Sequence, residues 1–179
     1  MKKDTKEEQT KKKPEQIIKD YSPTKAGKFY LVTSKYFIPR RDPECFFILA
    51  NNNDSFNICV TKIILTSVVR TMWDVKFDEM YIDGGTRLNL VPFNRSRQLE
   101  EYYPKNVLAV SADRDNYSTI KVVGGAGKGP YKVTSEYDTQ DILGGDEIIL
   151  GKDNSVCIYA RAEAGVSAPV NCEIRFYIE

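Results

Sequence analysis

The stretch most suggestive of chemistry is residues 122–130, V-V-G-G-A-G-K-G-P, where four glycines surround Lys128. Glycine-rich loops let backbone N–H groups approach phosphate, and a lysine then reaches the outer phosphates of a nucleotide. That chemistry needs G-x-x-x-x-G-K-[ST] at the opening of a helix. With Gly127-Lys128 as the G-K pair, the first glycine falls on Val122 and the hydroxyl on Gly129. Pro130 and the strand-like Tyr131-Lys132-Val133-Thr134 follow where a helix should start. The stretch is therefore expected to be a flexible surface loop that binds no nucleotide.

Composition bounds the other chemistries. The 179-residue chain contains no histidine, which removes the commonest general base near neutral pH and a leading metal ligand. The carboxylates mostly alternate with apolar residues, as solvent-facing strand positions do, so neither an enzyme nor a cofactor is expected. Cys45, Cys59, Cys157 and Cys172 form no C-x-x-C pair, which argues against zinc. Each lies in an apolar or alternating stretch, where a free cysteine acts as a small core residue. The lysine-rich start has no apolar h-region, and no apolar run is long enough to cross a bilayer. The expectation is a soluble chain with reduced thiols, made in a cytoplasm, with no membrane partner.

The formal charge of +1 hides an asymmetry. Residues 1–28 carry nine lysines against five acids, a surplus of +4, which leaves −3 for the remainder. A broadly basic nucleic-acid-binding domain is thereby disfavoured, because phosphate binding scales with the net number of neutralising charges. Residues 1–27 read as an extended arm, almost without apolar side chains before Ile17 and interrupted by Pro14 and Pro23. Such a segment cannot bury enough surface by itself to offset chain entropy, so it needs a partner surface to become ordered. Ile17, Ile18 and Tyr21 form its small apolar anchor.

From Lys28 to Glu179 the hydrophobic period is two. Val69, Thr71, Trp73, Val75 and Phe77 alternate with Arg70, Met72, Asp74, Lys76 and Asp78. Val170, Cys172, Ile174, Phe176 and Ile178 oppose Asn171, Glu173, Arg175, Tyr177 and Glu179, and Val156–Ala162 alternates likewise. These patterns predict half-buried antiparallel strands. Shorter strands are predicted at Phe29–Thr33, Cys45–Ala50, Phe56–Leu65, Arg87–Val91, Val107–Ser111, Thr119–Val123, Tyr131–Ser135 and Glu147–Leu150, with a helix only over Ser96–Tyr102. Polar turns such as Asp83-Gly84-Gly85 and Gly144-Gly145-Asp146 separate them. The expected fold is an all-β antiparallel sandwich, jelly-roll-like, over residues 28–179.

Two stretches carry a family resemblance. The first is Gly84-Gly85-Thr86-Arg87-Leu88-Asn89-Leu90-Val91-Pro92-Phe93-Asn94-Arg95-Ser96; the second is Glu147–Ala162, closing on Ile174-Arg175-Phe176-Tyr177-Ile178-Glu179. Their order resembles a family of tailed-phage virion proteins with a glycine-glycine-threonine turn, a proline-asparagine-arginine segment and a terminal aromatic strand. The resemblance covers roughly residues 45–179, with Leu90-Val91 inserted near the proline and a long linker after Ser96. It implies an accessory β-sandwich of the virion and brings no catalytic residues. Gly84 and Gly85 would supply the positive φ of a tight turn, and Pro92 would end a strand at a sheet edge. Asn94, Arg95, Arg97, Tyr102 and Tyr103 would contact a neighbouring subunit, since arginine and tyrosine are enriched at interfaces.

The functional expectation is a capsid decoration or auxiliary protein. It would bind the major capsid protein, other virion subunits or further copies of itself through the arm and the sandwich edges. The competing expectation is a carbohydrate-binding module of a tail or baseplate, using Tyr102, Tyr103, Tyr131 and Tyr137.

Overall fold

The computed structural model describes residues 28–93, 104–113, 119–134, 138–163 and 168–179. Among these residues there are twelve strands and no helix. They are β1 (Phe29–Thr33), β2 (Glu44–Asn51), β3 (Ile58–Ser67), β4 (Thr71–Asp83), β5 (Thr86–Arg87) and β6 (Val91–Pro92). Then follow β7 (Val107–Ser111), β8 (Lys121–Thr134), β9 (Asp138–Asp141), β10 (Ile148–Leu150), β11 (Asn154–Ala162) and β12 (Val170–Ile178). Sheet A has the order β10-β3-β12-β1-β6, with β9 also paired to β3; sheet B has the order β5-β7-β2-β11-β4-β8. Every pairing is antiparallel.

Setting aside the two-residue strands and β7, and taking β9 with β10 as one position, the pairing is β1-β12-β3-β10 facing β2-β11-β4-β8. Most successive strands change sheets, and the first and last lie side by side. This is jelly-roll connectivity, as the strand pattern led us to expect. The segment from β4 to β8 adds flank: β7 and β5 widen sheet B beyond β2, while β6 widens sheet A beyond β1. The single strand predicted over Arg87–Val91 is thus two short ones in different sheets. Leu88 and Leu90 lie between them, and Leu90 is buried at the flank of the core. A local pattern cannot show which sheet each half joins.

Alternation explains the inner faces. In β12, Val170, Cys172, Ile174 and Phe176 are buried while the residues between are half-exposed. In β4, Thr71, Trp73 and Val75 are buried and Phe77 is half-buried. Trp73 packs at 5.7 Å from the Phe46 ring, and Phe46 stacks on Phe37 at 5.6 Å. The indole N–H donates to Thr134 Oγ1 at 2.9 Å, so the ring's one polar atom is satisfied inside the core. Tyr30 stacks on Phe176 across sheet A at 5.5 Å.

Two expectations need correction. β11 is not half-buried: Ser155 through Ala160 are buried on both faces, and so is most of β2. The glycine-rich stretch is not a flexible loop, because Lys121–Thr134 is one strand paired with β4 along its length. Three register shifts punctuate that pairing, and Asp78 takes a left-handed φ of 62°. The β4–β8 ribbon bends there and returns over the outer face of sheet B. Ser155 Oγ donates to Glu79 O at 2.7 Å and Tyr159 Oη donates to Glu79 Oε2 at 2.5 Å. A Cβ at Gly85 would meet Val110 and Ile120, which places the ribbon's root against β7 as well.

The glycines serve this bend and the packing beside it. A Cβ at Gly127 would come within 2.9 Å of Phe77 Cβ, and one at Gly129 within 2.9 Å of the Phe77 ring. Bare backbone lets the ring lie against the neighbouring strand, the arrangement in which an aromatic covers strand glycines. Composition signals a loop here because glycine has no side chain with which to show a period. β9 was missed for a related reason, since Asp-Thr-Gln-Asp contains no apolar residue to mark a strand.

Candidate interaction surfaces

All eight residues predicted to bind a partner lie outside the described residues: Ile17, Ile18, Tyr21, Asn94, Arg95, Arg97, Tyr102 and Tyr103. The helix predicted over Ser96–Tyr102 lies there too. The structure does bring together the points from which the two segments depart. Phe93 N–H donates to Phe29 O at 3.0 Å, and the two rings meet edge to face at 4.8 Å. Lys28 and Phe93, the described residues that adjoin residues 1–27 and 94–103, therefore lie at one corner of sheet A. Gly84 and Gly85 have φ of 86° and 71°, and Pro92 sits in the edge strand β6, both as expected.

From that corner a row of apolar side chains crosses the outer face of sheet A. Phe29 is opposite Tyr177, Tyr177 opposite Cys59, and Cys59 opposite Ile149. Strand partners directly opposite present their side chains to the same face, so Phe93, Phe29, Tyr177, Cys59 and Ile149 form one band. Its two ends are open to solvent, with Phe93 43% and Ile149 62% exposed. The Cys59 thiol donates to Glu179 Oε2 at 3.6 Å. Burial, then the hydrogen bond that Tyr177 donates to Cys59 and the charges of Glu147 and Glu179, hold the Tyr177 phenol above its ordinary range. Arg175 is paired with Glu173 at 2.7 Å and lies 6.0 Å from the Phe93 ring.

A second surface is the solvent side of the bent ribbon. Met80 and Val123 are direct partners, and with Ile82 they are exposed by 69%, 54% and 57% respectively. The ribbon's other side carries buried Glu79 and half-buried Tyr81 and Val122 against the sandwich. Lys76 Nζ stands 3.7 Å from Glu79 and 4.0 Å from the Tyr159 ring centroid. A carboxylate this buried needs partners, because an isolated one would carry a large desolvation cost. Burial first, then the hydrogen bond to Glu79, pushes the Tyr159 phenol up.

Among the described residues, no three cysteines, aspartates or glutamates come together in a metal-binding group. Asp113 accepts from Lys35 Nζ at 2.7 Å and from Thr86 Oγ1 at 3.2 Å, which pins β5 to the chain beyond β1. The thiols of Cys59 and Cys172 are raised by burial, and that of Cys157 by its hydrogen bond with Cys45 and then by burial. All four cysteines are free and buried, as expected. Ellman's reagent should therefore label none of them in the native protein and all four in denaturant, and a reductant should leave the melting temperature unchanged. Fast labelling of any one under native conditions would overturn that assignment. Each raised thiol is harder to ionise folded than unfolded. Stability is then full below the ordinary thiol value of 9.0 and falls as the pH rises past it.

Reasoning from sequence missed both surfaces, although each left a trace. Met80 and Ile82 continue the even-numbered, solvent-facing register of β4, and Tyr177 interrupts a charged register in β12. An apolar side chain where the period demands a polar one was the available signal.

The fold is that of a two-sheet jelly-roll protein with two exposed apolar surfaces. No family model, no curated protein and no solved structure matches the chain.

Proposed function

We propose that this chain is a structural protein of a tailed-phage virion. In this reading it is an auxiliary or decoration subunit that holds the major capsid protein or a neighbouring virion subunit through its N-terminal arm and the edges of its sandwich. The observation that carries the reading is the clustering at one corner. The described residues that adjoin the lysine-rich arm and the asparagine- and arginine-bearing segment, Lys28 and Phe93, lie together through the Phe93–Phe29 hydrogen bond, beside an exposed apolar end of sheet A. Exposed apolar side chains of this kind mark interaction sites. The resemblance of the Gly84–Ser96 and Glu147–Glu179 stretches to virion proteins points the same way.

Deleting residues 1–27 is expected to reduce incorporation into particles at least tenfold, measured as copies per purified particle, while the thermal melt stays within 2–3 °C, about 1 kcal/mol for a chain of this size. Wild-type occupancy after the deletion would remove the arm from the anchoring role.

A second reading, a carbohydrate-binding sandwich of a tail or baseplate, is favoured by the aromatic row of Phe93, Phe29 and Tyr177. It ranks lower because Phe29 is buried and meets Phe93 edge to face, so the row offers no broad exposed ring platform for a sugar. Glycan-array binding that is lost in Phe93→Ala would reverse the ranking.

A further inference from the structure

The outer face of sheet A poses a specific question of occupancy. It carries an apolar band with open ends at Phe93 and Ile149. Glu179 stands at the centre of the band through its contact with Cys59, and Glu147 shares the outward register of Ile149 in the chain entering β10. Above the band are Lys62 and Arg175, partners across β3 and β12, with Arg175 already committed to Glu173. The surface is apolar along the band, with Glu147 and Glu179 at its Cys59–Ile149 end and Lys62 and Arg175 beside them.

The chain contains a segment with the complementary composition. Residues 1–27 hold eight lysines against five acids, and their large apolar side chains from residue 17 onward are Ile17, Ile18 and Tyr21. That segment joins the sandwich at Lys28, whose carbonyl accepts from Ile178 N–H at 3.0 Å, one residue from Tyr177. Its attachment is therefore at the band itself.

Length permits the contact. From β6 to β10 the band crosses four strand spacings, roughly 19 Å at about 4.8 Å each. Tyr21 lies seven residues from Lys28, a reach of up to about 24 Å, and Ile17 eleven residues away, up to about 38 Å. Gly27 directly before Lys28, and Pro23 before that, suit a chain that turns back at this point.

We propose that the outer face of sheet A is the docking site for this chain's own N-terminal segment, with Ile17, Ile18 and Tyr21 seated along the band between Phe93 and Ile149 and neighbouring lysines beside Glu147 and Glu179. Tethering favours the segment of the same molecule, because a short linker gives a millimolar effective concentration that a second copy in dilute solution does not reach. The arm then has an ordering surface on its own domain, and engaging any other partner requires its release. This inference concerns the isolated chain and stands or falls without reference to the virion reading.

The test uses the full-length chain with benzoylphenylalanine, a photo-crosslinking residue, in place of Tyr21. Equal amounts of ¹⁴N- and ¹⁵N-labelled protein are mixed, irradiated at micromolar concentration and digested. The expected products join the Tyr21 peptide to peptides containing Ile149, Tyr177 or Lys62, with both halves carrying the same isotope. Ile149→Asp, at a position exposed enough to keep the fold, should lower the yield at least tenfold, and Glu147→Lys should lower it severalfold. Products of mixed isotope would show exchange between copies and overturn the intramolecular claim. Products on the ribbon face or elsewhere, or no product above background, would overturn the site.

Discussion

Trp73→Ala should destabilise the protein by about 3–5 kcal/mol, the range seen when a buried aromatic is truncated. For a chain of this size that corresponds to a fall of roughly 6–20 °C in melting temperature. Trp73 is fully buried in β4, packs on Phe46, and gives its indole N–H to Thr134. Truncation removes the largest side chain of the core and leaves a hole between the sheets that their hydrogen-bonded strands cannot close. It also takes the donor from Thr134, whose hydroxyl still reaches Thr71 O at 3.4 Å. Trp73→Phe separates the two effects: it keeps most of the volume, loses the hydrogen bond, and should cost about 1–2 kcal/mol. An alanine variant that melts with the wild type would show that the sheets do not meet on this residue.

Gly84→Ala should cost at least about 3 kcal/mol, although it adds a single methyl group. Two terms combine. A φ of 86° puts any L side chain into a conformation costing about 1–2 kcal/mol. The added Cβ would also stand 2.0 Å from Thr119 O, a backbone atom that cannot rotate away. Relief requires moving the turn between β4 and β5 away from the chain entering β8. That movement disturbs the Tyr81 hydrogen bond to Gly84 O and loosens the ribbon that covers sheet B. Gly144→Ala is the control, since its φ is 61° and a Cβ there meets nothing within 4 Å. It should cost only about 1 kcal/mol. Equal losses in the two variants, read by chemical denaturation, would mean that crowding at Thr119 is not what makes Gly84 necessary.

Whatever repeats with a period of two could be read from the sequence, because a strand states its own inward face. The Val69–Phe77 and Val170–Ile178 alternations each name their buried set, β1 and β7 are found with their observed bounds, and the thiols follow from the apolar stretches around them. The glycines of Asp83-Gly84-Gly85 likewise announce positive φ, since other residues rarely adopt it. These are local properties, set by a residue and its near neighbours.

What depends on a distant strand could not be read. That Gly124–Gly129 is a strand and not a loop is decided by Phe77, some fifty residues earlier, whose ring occupies the space that glycine leaves. That β11 is buried on both faces depends on the ribbon beyond Asp78, which sets Glu79 against Ser155 and Tyr159. The candidate surfaces belong to the same class. Phe29, Tyr177, Cys59 and Ile149 come from four separate strands, and only their register makes one band of them. A side chain's facing is written in its strand, but whether that face meets water or another layer is settled by long-range packing, which no local pattern encodes.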